Sequence, residues 1–224
     1  MAGTVLVEPL QHEDLERYVE LYWNAFKPIE ADMLLPMIYP MGLLPEVQET
    51  LCQRVIRETG GKIGEQCFVA RDSTTREIIG VSWWATPHDP PRTEAEINAA
   101  LEKAKKARKL RPPVAGSNIA LAEEAYSVSM RCEYETMQGR PYTNLRLLAV
   151  NPSQQRRGAG SLLLKHGLEK FAGDLPVYIV AGMIGKPLYE RYGFKVMKEN
   201  PFDGREYGGR SAGKHWCMVR PAAQ

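Results

Sequence analysis

The chain has 224 residues, of which 44% are hydrophobic and 25% charged, and its formal net charge is +2. That composition suits a soluble globular protein with a real core, and the charge is too small to argue for nucleic-acid binding. Its four cysteines, Cys52, Cys67, Cys132 and Cys217, contain no C-x-x-C pair, which speaks against a zinc site or redox motif and for reduced, buried thiols. No stretch approaches the roughly 18 apolar residues of a membrane span, and Met1 to Leu10 lacks a basic n-region, so a cytoplasmic location is expected.

In chain order, Thr4 to Leu10 alternates and reads as a short strand. Asp14 to Phe26 places Leu15, Val19, Tyr22, Trp23 and Phe26 on one helical face. Pro28, Pro36, Pro40 and Pro45 break up the segment that follows, and Val47 to Glu58 reads as a second helix stopped at Gly60-Gly61. Cys67 to Arg71 and Glu77 to Thr86 make a hairpin around the turn Asp72-Ser73-Thr74-Thr75, with a loop at Pro87 to Pro91. Thr93 to Leu110 is strongly charged, with a thin apolar stripe of Ile97, Leu101, Ala104 and Leu110 among Lys103, Lys105, Lys106, Arg108 and Lys109. It reads as a solvated helix, or as a surface for an acidic partner. Ile119 to Met137 reads as a further helix.

The second half is more regular. Asn144 to Val150 is a predicted strand, Gly158 to Phe171 a helix, Val177 to Ala181 a strand, Lys186 to Tyr192 a short helix closed by Gly193, and Phe194 to Met197 and Lys214 to Arg220 the last strands. A strand, a crossover helix and a strand imply one parallel pair in an otherwise antiparallel sheet. The simplest organisation is one mixed α/β domain over residues 1–224.

The segment Leu145 to Gly160 carries the chemistry. An apolar strand ends at Asn151-Pro152, and a polar turn leads into Gly158-Ala159-Gly160 at the start of a helix. The leading N–H groups of a helix have no intrahelical partner, and the helix dipole is positive there, so the arrangement attracts an anion such as a phosphate. It matches neither of two known phosphate loops. No Lys-Ser or Lys-Thr follows Gly160, as a Walker A loop requires, and position 163 is Leu where the dinucleotide fingerprint needs a third glycine.

Gln155-Arg156-Arg157-Gly158-Ala159-Gly160-Ser161 after such a strand resembles the acetyl-CoA-binding motif [Q/R]-x-x-G-x-[G/A] of the GNAT superfamily of N-acetyltransferases. Further along, Pro187-Leu188-Tyr189-Glu190-Arg191-Tyr192-Gly193-Phe194 resembles the family's second signature. The match covers Asn144 to Val196. The resemblance implies an α/β (α+β) fold with a mixed, mostly antiparallel central sheet, a splayed parallel strand pair and helices on both faces, and with residues 92–137 as a charged helical insertion. It implies acetyl-CoA as cosubstrate and no metal. Leu148 and Val150 would offer backbone groups to the pantetheine arm as an added strand would. Gln155, Arg156, Arg157, Gly158, Ala159, Gly160 and Ser161 would surround the pyrophosphate, chiefly through backbone N–H groups.

The resemblance further implies acetyl transfer to a primary amine by direct attack in a ternary complex. Tyr189 stands where the family places its general acid, and a phenol is a reasonable donor to a departing thiolate. The oxyanion donor is expected to be a backbone N–H at or near Val150. Where family members carry a base, this strand has Asn144 and Arg146, which leaves Glu30, Asp32, Glu123 and Glu124 as candidates acting through water. Gly182 replaces the Asn or Ser usual after the second parallel strand. His12, His88, His166 and His215 are scattered, with His166 expected on the solvent side of its helix. Trp23, Phe26, Tyr39, Trp83, Trp84 and Tyr126 are candidates for an acceptor pocket. The expected partner is a small-molecule amine, with no nucleic acid or membrane, and the protein is expected to be a monomer or homodimer. A peptide acetyltransferase and a non-catalytic CoA-binding regulator are the alternatives.

Overall fold

The computed structural model describes residues 3–26, 34–86, 90–110, 113–207 and 214–222. Its contacts divide it into two compact units. The first comprises Met1–Ile29, Met41–Ala85 and Leu145–Gly173. The second comprises Glu30–Pro40, Thr86–Asn144 and Asp174–Gln224.

In the first unit the strand order is β1 (Val5–Pro9), β2 (Cys67–Asp72), β3 (Ile78–Ala85), β4 (Thr143–Val150). β1 pairs antiparallel with β2, and β2 with β3, as the hairpin pattern predicts. The helices are α1 (Leu15–Phe26), α3 (Pro45–Glu58), α4 (Ile63–Gln66) and α7 (Ala159–Gly167), and α2 (Leu34–Ile38) belongs to the second unit. β3 is buried over nearly its whole length, so both of its faces are covered. Trp83 lies with Tyr18, Leu51 and Val55 of α1 and α3. The alternate residues Gly80 and Trp84 meet α7, because side chains in a strand point to opposite faces in turn.

The contact with α7 depends on glycine. A Cβ at Gly167 would sit 1.9 Å from Cε2 of Trp84, so only a bare Cα lets the helix lie on that indole. Trp84 is fully buried and stacks on Phe171 at 5.7 Å. The predicted single helix to Phe171 instead changes at Leu168–Ala172 into a π-turn, and Gly173 ends it.

In the second unit, β5 (Val177–Gly182) pairs antiparallel with β7 (His215–Arg220), and β7 with β6 (Lys195–Glu199). The first two residues of β4 pair parallel with β5, through Thr143↔Val177 and Asn144↔Tyr178. Counting β4 once, the described residues form seven strands with one parallel pair, the mixed sheet that the strand-helix-strand pattern predicts. α6 (Ile119–Met137) packs on β5 and β7, where Cys132, Met137, Tyr142, Tyr178, Cys217 and Val219 form a buried cluster. All four cysteines are free and buried.

The charged segment forms α5 (Glu94–Lys109), opened by a capping box in which the Thr93 hydroxyl accepts from the Glu96 N–H and Glu96 accepts from the Thr93 N–H. It lies against α6. The Arg108 guanidinium stacks 3.5 Å above the Tyr126 ring and donates to the Ala122 carbonyl, while Arg131 of α6 bonds Glu94 and Asn98. Leu110, placed in the apolar stripe by its spacing, is instead 86% exposed, because the helix ends at Lys109 and Leu110 is its C-cap. Two short helices, α2 and α4, escape the sequence reading. Each is five residues or fewer, too short to show a period.

Candidate acyl-CoA site

β4 ends by donating the Asn151 N–H to the Ile79 carbonyl of β3 at 2.9 Å. The Asn151 side chain then accepts from the Ser153 N–H at 3.1 Å and caps a single 3-10 turn, Pro152–Gln154. Pro152 stands at the first position of that turn, where its missing N–H costs nothing. Arg156 and Gly158 follow with φ of 63° and 86°, the left-handed region. α7 begins at Ala159.

Gly158 is the N-cap of α7, and no side chain caps that end. An added Cβ at Gly158 would have no heavy atom within 4 Å. The helix thus presents its leading amides at an open, glycine-lined end, next to exposed Gln155 and Arg156. This is the geometry in which backbone N–H groups and the helix dipole favour an anion. Ala159 is buried, and Gly160 and Ser161 are half-buried.

Arg157 is turned elsewhere. Its guanidinium bonds the Asp72 carboxylate, the Gly3 carbonyl at 3.0 Å and the Gln154 side chain at 2.5 Å. Asp72 also accepts from the N–H groups of Thr74 and Thr75 in the hairpin turn. The Arg157 guanidinium, followed by those two amides, holds the Asp72 carboxyl down at about 2. The pair therefore ties the turn after β4 to the hairpin β2–β3, and the Arg157 guanidinium is turned to that hairpin.

The parallel ladder with β5 contains just Thr143 and Asn144. Further along β4, Leu148 and Val150 are half-buried.

In the second unit, α8 (Lys186–Arg191) carries Tyr189, which is 5% exposed. Its ring lies against Phe194 at 5.7 Å and over Gly185, where a Cβ would come within 2.8 Å of Cε2. Burial pushes its phenol well above the ordinary value of 10. Among the described residues nothing hydrogen-bonds the Tyr189 hydroxyl, so this tyrosine is not tied to the backbone as a purely packing one would be. Gly182 ends β5 opposite His215.

A second feature of the first unit is a pocket of about 390 Å³, mouth included, lined by Tyr18, Tyr22, Arg54, Trp83, Arg146 and Leu147 among others. Glu58 joins Arg54 (3.0 Å) to Arg146 (2.7 Å), and both guanidiniums lie over the Trp83 ring, at 5.8 and 5.6 Å. Burial raises the Glu58 carboxyl, but the charges of Arg54 and Arg146 outweigh it and hold it below the usual range. The sequence reading missed this cluster, since its members come from α3, β3 and β4 with no local pattern to join them. Of the candidate aromatics, Trp83 lines this pocket. Trp84 and Trp23 are core, and Tyr126 serves the α5–α6 contact.

Among the base candidates, Glu30 and Asp32 lie outside the described residues, as does His88. Glu123 is half-buried and Glu124 exposed. Glu133, also not anticipated, accepts from the Tyr142 hydroxyl and from Asn144 Nδ2 at 2.8 Å. His166 was expected in solvent. Its ring instead packs on Phe68 at 4.6 Å, and its Nε2 is buried with no partner among the described residues, because the helix turns that side toward β2. Burial, followed by Lys170, lowers its pKa. Among the described residues no group of His, Cys, Asp and Glu could hold a metal, and no helix is long and apolar enough to cross a membrane.

Comparison with known proteins agrees with this architecture. The model of the acetyltransferase (GNAT) domain family matches residues 120–205, which include β4, the glycine turn and α8. A curated acetyltransferase from Stachybotrys chartarum is 26% identical over 131 residues, 57% of this chain. The match takes in 53% of that protein, so the chain spans about half the length of this curated relative. Among solved structures, the fold is similar to a histone acetyltransferase HPA2 and related acetyltransferase from Corynebacterium glutamicum (TM-score 0.58, 22% identity, 100% of this chain and 98% of that one). It is also similar to a mosquito arylalkylamine N-acetyltransferase-like protein (0.66, 15%, 96% and 99%). A third similar fold is Naa20 of Chaetomium thermophilum in complex with a bisubstrate analogue (0.56, 13%, 97% and 86%). Residues 120–205 thus resemble the acetyltransferase (GNAT) domain family, and the fold as a whole is similar to those of solved acetyltransferases.

Proposed function

We propose that the protein is an acetyl-CoA-dependent N-acetyltransferase that moves an acetyl group to the primary amine of a small molecule. The observation that carries this reading is the uncapped start of α7 behind a left-handed Gly158 with open space around it. A side-chain cap or a filled cradle there would argue against a diphosphate. The residues fit the group in kind, since Gln155, Arg156, Gly158, Ala159, Gly160 and Ser161 supply a turn of amides and one exposed guanidinium. Arg157 contributes backbone only. The end of the parallel ladder at Asn144 supports a role for Leu148 and Val150 as backbone partners of the pantetheine arm.

Acetyl-CoA supplies an acyl thioester. The amine nitrogen forms the new N–C bond as the C–S bond breaks, the amine gives up one proton, and the CoA sulfur takes one up. Tyr189 is assigned the second proton. Its phenol stays protonated through the neutral range, and no other group among the described residues competes for its hydroxyl. A peptide acceptor is the second reading, supported by the complex of a NatC assembly with a Gag peptide and CoA among the similar folds (TM-score 0.50, 15% identity).

The test is calorimetry and thermal unfolding with CoA, followed by free-thiol release from acetyl-CoA with a panel of small amines and peptides. A ligand at 100 times its Kd adds about 2.7 kcal/mol of stability to the folded state. No heat and no shift in Tm with any acyl-CoA would end the acyltransferase reading. Release with peptides alone would move the substrate assignment to the second reading.

A further inference from the structure

We propose that the pocket between α1, α3, β3 and β4 selects an acceptor that carries a carboxylate beside its amine, an amino acid with an apolar or aromatic side chain. This deepens the function proposed above and rests on it for the position of the thioester. Three observations lead there.

The first is charge. Arg54 and Arg146 bring two positive groups to the pocket, and Glu58 bridges them. Arg146 gives Nη1 to Glu58, and no other hydrogen bond is made by its guanidinium among the described residues. Its planar fork therefore has donors left for an anion, and carboxylates accept such forks in pairs. A cationic amine alone would be repelled by the same groups.

The second is an unsatisfied donor. Trp83 is 5% exposed, and its Nε1–H is buried with no partner among the described residues. Buried donors are nearly always paired, and an exception calls for an explanation. A ligand acceptor in the pocket that Trp83 lines supplies one. The aromatic faces of Tyr18, Tyr22 and Trp83, with Leu147, supply the apolar surface that an amino-acid side chain would cover.

The third is position. Arg146 and Leu147 precede Leu148 and Val150 on the same strand. At about 3.3 Å per residue, the Arg146 backbone lies about 7 Å from that of Leu148 and about 13 Å from that of Val150. The α-amine of an amino acid is a few bonds from its carboxylate. Anchoring a carboxylate at Arg146 thus places the acceptor on the same strand as the segment assigned to the acyl arm. The presence of Arg146 where a base was expected also has a reason on this view: the strand position serves acceptor binding.

The experiment compares L-phenylalanine and L-leucine with their methyl esters, which keep the amine and side chain and lose the charge. Acetylation is followed by thiol release, and binding without acetyl-CoA by quenching of tryptophan fluorescence. Each free acid is expected to exceed its ester at least tenfold in kcat/KM and in affinity. Arg146→Gln is expected to abolish that preference by raising KM for the acids at least tenfold while leaving KM for acetyl-CoA unchanged. Arg146→Lys, which keeps the charge, should restore part of it, and Trp83→Phe, which keeps the shape but not the N–H, should weaken the acids severalfold. Circular dichroism and Tm identify any variant that fails to fold, and the acid-to-ester ratio of the wild type decides the matter without any variant. Equal use and equal binding of acids and esters would overturn the proposal. Acid-selective, Arg146-dependent quenching without thiol release would uphold the pocket and remove the acyltransferase reading instead.

Discussion

The Arg157 guanidinium closes on the Asp72 carboxylate, joining the turn that opens α7 to the hairpin turn between β2 and β3. One arginine of the glycine turn is thereby a strut, while its neighbour Arg156 is exposed. Asp72 is 4% exposed and three donors surround it, so its charged form is strongly preferred in the folded state.

This gives a pH dependence of definite sign. The Asp72 carboxyl titrates at about 2 when folded, below its ordinary value of 3.8. Its contribution is fully present above the unfolded value and is lost as pH falls from there toward 2. Arg157→Gln is expected to lower stability at pH 7 and to flatten the loss between roughly pH 5 and 2, measured by urea unfolding across that range. CoA affinity of the folded variant should change less than threefold, since the side chain points to the hairpin.

Arg156→Gln provides the contrast. With its side chain exposed beside the anion site, it should weaken CoA binding severalfold, an effect that shrinks as salt rises, and leave urea stability within about 0.5 kcal/mol. Calorimetry at two ionic strengths checks both statements. A change as small as that of Arg157→Gln would assign the pyrophosphate to backbone groups alone.

Gly158→Ala probes those groups. Space is open around Gly158, so the cost arises from its φ of 86°, about 1–2 kcal/mol for a residue with a Cβ. Relief of that strain would rotate the leading amides of α7. KM for acetyl-CoA should rise at least tenfold with little change in kcat. Gly167→Ala, by contrast, drives a methyl group into the Trp84 indole. It should cost about 1–3 kcal/mol or more in urea unfolding, with CoA affinity preserved in whatever fraction remains folded.

Tyr189→Phe tests the proton donor. General acid catalysis contributes about a hundredfold or more. The substitution should lower kcat by at least tenfold and leave the Kd for CoA nearly unchanged, because the ring and its contacts with Phe194 persist. Burial raises the phenol, so it stays protonated well past neutrality. The wild-type kcat profile should then show no alkaline fall below about pH 10 from this group. A kcat unchanged in Tyr189→Phe would leave the proton to water.

What sequence alone determined is local. The strand ending at Asn151-Pro152 and the glycine-opened start of α7 were legible because proline restricts the backbone while asparagine and glycine mark turns and helix ends, and those effects are short-range. The hairpin, the long amphipathic helices and the parallel pair followed from periodicity for the same reason. Tertiary structure alone decided which charged groups meet. Arg157 finds Asp72 some 85 residues away, Arg146 finds Glu58 at a separation of 88, and His166 turns toward Phe68. Such partners carry no mutual signal along the chain, because an ion pair or an aromatic contact is set by how elements pack and not by spacing in sequence.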